Sequence, residues 1–401
     1  MINVNAFISE LKESGKPLRL VVEESLEGVI SGFLLSKAFL KLGKKFVLSY
    51  EDRKNVRNVL KEDYDKFILA FNEVDGLDDN IIVIGGKGNV NSEVLGIKTN
   101  KLCEIVYCFC LRIADVKEYG HLVVMAGLSE NVNGLDDYCR GILNECMKDK
   151  KIIIARGLRM LNNCCREIVN ALRYSYDPCL RSVFGEEDKA IELIKRIGLE
   201  RAYEDGRKLV ELNDAENERL FGEVILDMIG VEEGNGLGEV YIGDDMDLLW
   251  MRNALNLCIN KKKIGLAHGF LCGNKEDRKM VGRIMDSYSL EMIKALKIIF
   301  MRRIKINRRG ICMDFNELVK EDVLEELVKI IRKRKIFDVE MLLAIGAFDD
   351  KIIAYGYCNG ELVGNLPEGL HFDNGYIKGV LRDENELRNI DLQIERFINA
   401  A

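Results

Sequence analysis

An α/β fold is expected from this sequence: a parallel sheet flanked by helices, then a helical linker, then a smaller C-terminal α/β domain. Three observations predict it. Residues 1–165 alternate short apolar runs with helix-patterned segments, as a parallel sheet with crossover helices requires. Residues 180–247 are charged and mostly helical in pattern. From Asp247 the chain is helical again, and over 336–363 it changes to short strand-like runs. The corresponding segments are 1–173, 174–246 and 247–401.

Leu18–Val22 is an apolar run ending in two β-branched residues, the pattern of a buried strand. Gly28 follows where the strand hands over to a helix, and its missing Cβ permits a tight turn. Ile30, Phe33, Leu34, Ala38 and Leu42 then recur at helical spacing over Val29–Leu42, with Gly43 as the stop. Further strands are expected at Phe46–Tyr50, Phe67–Phe71, Ile81–Ile84 and Leu122–Met125, and helices at Val56–Leu60, Asp136–Met147 and Ile153–Arg173. Tyr176-Asp177-Pro178 breaks the pattern, because proline ends a helix and biases the preceding residue to extended geometry.

Glu186–Ile197 and Glu216–Ile229 are the clearest helices of the middle segment. Gly234-Asn235-Gly236-Leu237-Gly238 lacks the Lys-Ser/Thr and the strand-turn-helix setting of a phosphate loop, so it reads as linker. Beyond Asp247, the residues Ile284, Tyr288, Met292, Leu296, Ile299 and Phe300 form a stripe expected to face a core. Two basic clusters follow, Arg302, Arg303, Lys305, Arg308 and Arg309, then Arg332-Lys333-Arg334-Lys335. Each is either a solvated helix end complementing the helix dipole or a nucleic-acid or partner surface. No aromatic residues interleave the charges as base stacking would want. Turns are expected at Asp349-Asp350 and at Asn359-Gly360, the second a hairpin signal.

A chain of 401 residues accommodates two or three domains with sizeable cores. Hydrophobic content of 48% with 31% charged residues describes an ordinary globular protein, without a signal peptide or an apolar span long enough for a bilayer. The twelve Cys contain no Cys-x-x-Cys, so they read as reduced thiols in a cytoplasm rather than as a zinc site. A net charge of −7 argues against the whole surface gripping phosphate backbones.

The six residues Glu23-Glu24-Ser25-Leu26-Glu27-Gly28 lie between strand and helix, where α/β proteins place their chemistry. With the run Leu42-Gly43-Lys44-Lys45 and the next strand, this stretch resembles the first motif of the DHH phosphoesterases, specifically the archaeal RecJ-like nucleases. In that family the strand ends in His-x-Asp-x-Asp-Gly. Aligned on Gly28, the His position falls on Glu23 and the two Asp positions on Ser25 and Glu27. The second motif's Asp falls on Asn72, and the Asp-His-His motif falls on Gly85-Gly86-Lys87. The fourth motif's Asp, after an apolar strand, falls on Glu130.

Two-metal phosphodiester hydrolysis needs several carboxylates or imidazoles converging on the ions. Glu27 and Glu130 supply two carboxylates and no imidazole; they are either one weak Mg²⁺ or Mn²⁺ site or ordinary surface and salt-bridged acids. Lys87 is a candidate to fill the vacant site and pair with Glu27 or Glu130. Arg173–Pro178 with Phe184-Gly185-Glu186-Glu187, and Leu248–Gly273, resemble the family's linker and the opening of its second half. Its C-terminal Gly-Gly-Gly-His substrate loop is reduced here to Glu368-Gly369-Leu370-His371.

The resemblance implies an inactive RecJ-like subunit without metal or other cofactor. Its expected partner is an active paralogue, in an exonuclease complex on single-stranded DNA or RNA, with the basic clusters and His371 as candidate contacts and no membrane association. Two other readings stand beside it: a replisome scaffold binding helicase or GINS-like partners, since the superfamily includes an inactive replicative-helicase subunit, and a weak metal-dependent phosphodiesterase.

Overall fold

The structure, a computed structural model, describes residues 4–13, 16–62, 64, 66–74, 81–128, 135–158, 164–230, 237–301, 310–315, 319–337, 339, 341–348, 351–358 and 370–381. They fall into two compact units. The first comprises Met1–Ala155 with Val240–Met285, and the second Arg156–Glu239 with Asp286–Ala401. The segment Val240–Met285, assigned by sequence to the linker and the C-terminal part, is thus grouped with the N-terminal sheet.

The first unit opens with α1 (Val4–Glu13), β1 (Leu18–Glu23), α2 (Leu26–Lys41), β2 (Phe46–Glu51), α3 (Val56–Val59), β3 (Phe67–Ala70) and β4 (Ile82–Ile84). The four strands form a parallel sheet in the order β2-β1-β3-β4. Both faces are covered, which is why β1, β3 and β4 read as continuous apolar runs rather than alternating ones. Arg19, the one cation in β1, is buried and paired through Nε with Glu62 at 2.7 Å.

Helices α4 (Ser92–Leu95), α5 (Leu102–Ile113), α6 (Gly120–Gly127) and α7 (Asp137–Lys148) follow. α2 is buried on nearly every side, and α5 and α6 pack against it. The strand expected at Leu122–Met125 is instead the middle of α6. A short run that is apolar all round carries no periodicity to separate a buried strand from a buried helix.

The helix expected over Ile153–Arg173 is also corrected. It divides into β5 (Ile153–Leu158) and α8 (Ile168–Arg173). The β-branched run at its start favours extended backbone.

The chain continues through α9 (Glu187–Arg196), α10 (Glu200–Glu204), α11 (Asp214–Asp227), β6 (Leu237–Gly243), β7 (Met246–Asp247), α12 (Leu248–Asn260), α13 (Ile264–Leu271) and α14 (Lys275–Met301). α13 returns to α2 in the first unit, where His268 Nδ1 lies 2.6 Å from the Tyr50 hydroxyl. Burial, assisted by Lys37, lowers the His268 pKa, so the ring shares this hydrogen bond with the phenol in its neutral form.

The second unit is completed by β8 (Gly310–Asp314), α15 (Glu321–Lys333), β9 (Met341–Phe348), β10 (Lys351–Cys358), β11 (Leu370–Asp373) and β12 (Tyr376–Leu381). Its sheet order is β11-β12-β10-β9-β8, antiparallel except for the β8–β9 pair, which α15 connects. Its main core includes Met292, Leu296 and Ile299 of α14 and Leu327, Val328 and Ile331 of α15.

Tyr288 packs against that core as expected. Phe300 does not: it is exposed, with the Arg181 guanidinium over its ring. The hairpin turn in the described part of this sheet is Asn374-Gly375. The expected turns at Asp349-Asp350 and Asn359-Gly360 lie outside the described residues, as does most of the Gly-rich linker. No helix among the described residues is long and apolar enough to cross a membrane.

Candidate functional site

The parallel register brings the carboxyl ends of β1, β3 and β4 to one edge of the sheet, and with them Glu23, Asn72 and Gly85-Gly86-Lys87. Ser25 and Glu27 stand in the turn from β1 into α2 at the same edge. These positions are spatial neighbours. Their side chains are engaged in holding the turn and the adjoining helices.

Glu23 accepts hydrogen bonds from Arg53 Nε at 3.0 Å and from Asn72 Nδ2 at 3.3 Å. Ser25 is the N-cap of α2, its Oγ accepting the Gly28 N–H at 3.0 Å. Glu27 reaches across the fold to the start of α5, where its Oε2 accepts the Cys103 N–H at 3.3 Å. Residue 101, the formal N-cap of α5, makes no side-chain cap, so Glu27 performs that role from another helix. Burial raises the Glu27 pKa, opposed by the Cys103 and Leu102 N–H groups and by the Lys101 charge.

The expectation that Lys87 fills the vacated site is corrected. Its ammonium is 2.8 Å from Glu73 and its side chain is 67% exposed. Two residues earlier, a Cβ at Gly85 would overlap the Phe71 carbonyl oxygen, so the loop after β4 lies tight against the end of β3. Glu130 lies outside the described residues, and the element leading to it is helix rather than strand.

The partners Arg53, Lys101, Glu104 and Asp136 were missed by the sequence reading. Glu104 carried a signal, being a lone acid in the apolar run Leu102–Cys110. Asp136 carried another, as the residue before a helix, and its Oδ1 accepts the Cys139 N–H at 2.8 Å.

Of the basic candidates, Arg302, Arg303, Lys305, Arg308 and Arg309 lie outside the described residues. Arg332 stacks on Tyr376, with its guanidinium carbon 4.6 Å from the ring centroid, so an aromatic partner comes from the sheet rather than from the neighbouring sequence. Lys333 and Arg334 both hold Asp177, at 2.6 and 2.5 Å, and Arg334 is only 6% exposed. That burial removes Arg334 from any contact surface. Lys335 is exposed at the end of α15, and His371 is exposed on β11 opposite Lys378.

The donor set does not fit a two-metal centre. Both described carboxylates at the motif positions accept hydrogen bonds from protein groups. Ser25 and Asn72 offer neutral oxygens, and Gly85 and Gly86 offer no side-chain donor. Among the described residues no group of three or more His, Cys, Asp or Glu is arranged to hold a metal ion.

If Ser25 and Glu27 are helix caps, their loss lowers stability. Ser25→Ala is expected to cost about 1 kcal/mol and Glu27→Ala about 1–2 kcal/mol in chemical denaturation. An unchanged midpoint for both variants would contradict the capping role.

A parallel sheet with these strand-end turns, in a chain with a second α/β unit, has the fold seen in CDC45 and RecJ. The chain is similar along its whole length to CDC45 from Entamoeba histolytica, with TM-score 0.59, 11% identity, and 98% of this chain and 99% of that one covered. It is also similar to an exonuclease RecJ bound to manganese, with TM-score 0.50, 10% identity, and 99% and 94% covered. Against RecJ from Thermus thermophilus in complex with Mg²⁺ the TM-score is 0.50 at 11% identity; all of this chain aligns with 52% of that protein. No family model matches the sequence, and no curated protein does.

Proposed function

We propose that the chain is a catalytically inactive RecJ-like subunit that pairs with an active paralogue in an exonuclease complex acting on single-stranded DNA or RNA. Its part in such a complex is structural or regulatory. One observation carries this reading: the strand-end side chains are committed to Arg53, Asn72 and the N-termini of α2 and α5. Recruiting them to ions would leave the ends of two helices uncapped. A fold kept in this form is useful through its surfaces, and the exposed Lys335 and His371, with Arg332 on its tyrosine, are candidate contacts.

The test is a pull-down from the native cytoplasm followed by a Mn²⁺-dependent nuclease assay. The isolated chain is expected to be inert, and activity is expected to come down with a paralogue carrying an intact Asp-His-His motif. Cleavage by the pure chain that is lost in the Glu23→Ala, Glu27→Ala variant would overturn the reading in favour of a weak phosphodiesterase. The full-length similarity to CDC45 favours a second reading, a replisome scaffold. Recovery of helicase or GINS-like proteins without nuclease activity would select it.

A further inference from the structure

Beside Glu27, the first unit holds a group of charges that the motif positions alone do not explain. Glu104 is 0% exposed, deep in the first turn of α5, and its carboxylate lies 3.4 Å from Lys101 Nζ. Asp136, the N-cap of α7, is 3.3 Å from the same ammonium on the other side. Glu27 comes from α2 onto the start of α5, near enough to feel the Lys101 charge. Two carboxylates, Glu104 and Asp136, therefore meet one ammonium at two helix N-termini, each of the latter worth about half a positive charge, and Glu27 joins the group through the Cys103 N–H. The ammonium is shielded from solvent. Both ion-pair distances exceed those of a tight charged hydrogen bond, so Nζ sits between the acids rather than bound to one.

Burial alone would lower the Lys101 pKa, but Glu104 and Asp136 outweigh it and keep the group charged. The buried thiols Cys103 and Cys139 adjoin these acids, as does the Tyr138 phenol, and burial raises all three, so they stay neutral. Lys101 is thus the positive side chain placed among these acids.

We propose that Lys101 is a built-in cation. Its ammonium, rather than a bound divalent ion, holds Glu104 and Asp136 together at the N-termini of α5 and α7, beside Glu27 on the α5 N–H groups, so that the unit folds alike with and without divalent metal. The inference rests on the non-catalytic reading of the motif edge, and it assigns to Lys101 the role that the sequence suggested for Lys87.

The test is thermal unfolding of the full chain in EDTA and in MnCl₂. Wild type is expected to unfold at the same midpoint in both. Lys101→Met is expected to fall by roughly 5 °C or more in EDTA, as an uncompensated buried acid requires. Adding Glu104→Gln to it is expected to recover most of that loss, because the amide keeps the shape and removes the charge. A wild-type midpoint raised by Mn²⁺ overturns the proposal, as does a Lys101→Met loss that Glu104→Gln does not restore. Should Lys101→Met fail to fold, the double variant decides: recovered folding supports the built-in cation and continued failure overturns it. Hydrolysis by wild type would sink the non-catalytic reading instead, and the charge cycle is read independently of it.

Discussion

Replacing Asp177 by Ala is expected to destabilise the second unit by about 3–5 kcal/mol, since it leaves a buried arginine without its counter-charge. Arg334 Nε lies 2.5 Å from one Asp177 oxygen and Lys333 Nζ 2.6 Å from the other. Burial acts to raise the Asp177 pKa, but the Arg334 and Lys333 charges outweigh it and hold the carboxyl below its ordinary value. Lys333 is partly exposed and keeps some hydration when the acid is removed, so most of the loss comes from Arg334.

The sign with pH follows. The folded-state pKa is depressed below the unfolded value of about 3.9, so the stabilisation is present above that pH. It is lost as pH falls through the folded pKa. Urea unfolding of wild type and Asp177→Ala should therefore differ most near neutrality and converge in strong acid. Asp177→Asn is expected to lose nearly as much as Ala, because charge rather than shape is missing. A constant gap between wild type and variant at all pH values would show that packing, not the ion pair, sets the loss.

The same residues show where the sequence was legible and where it was not. Arg332-Lys333-Arg334-Lys335 is legible either as cations at a helix end or as a contact surface; α15 does end there, with Arg334 buried rather than solvated. Nothing local marked Asp177 as their partner, since it lies 157 residues before Arg334. The strands β1 to β4 were legible because burial on both faces makes each an uninterrupted apolar run. The edge that gathers Glu23, Asn72 and Gly85 follows from those strands being parallel. The duties of the side chains on that edge were not legible. Glu23 meets Arg53 and Glu27 meets Cys103 at separations of 30 and 76 residues, and such pairings exist only once the sheet and α5 are assembled. The failure at Leu122–Met125 has another cause, since an all-apolar run carries no period.

Gly28→Ala is expected to destabilise the first unit by about 3 kcal/mol, more than the loss of either capping residue beside it. A Cβ at this position would overlap the carbonyl oxygen of Glu23, the last residue of β1. That oxygen cannot move away freely, because it also accepts the Ser25 N–H at 2.8 Å. Gly28 meanwhile donates its own N–H to the Ser25 cap and lies wholly buried in the first turn of α2. Relief requires α2 to shift against β1, and α2 is the helix on which α5, α6 and α13 pack.

Chemical denaturation of Gly28→Ala, Glu23→Gln and Glu27→Gln separates two demands on one short turn. The glycine answers to backbone geometry, which any protein of this fold must satisfy whether or not it binds metal. Gln at 23 or 27 keeps a hydrogen-bond acceptor and is expected to cost about 1 kcal/mol or less. A Gly28→Ala variant as stable as wild type would mean that the turn tolerates a side chain, leaving the match at Gly28 without a physical reason. A large loss in Gly28→Ala with small losses in the Gln variants would account for the turn as it stands: the glycine that the backbone needs is present, and the ligands that only a metal needs are replaced by helix caps.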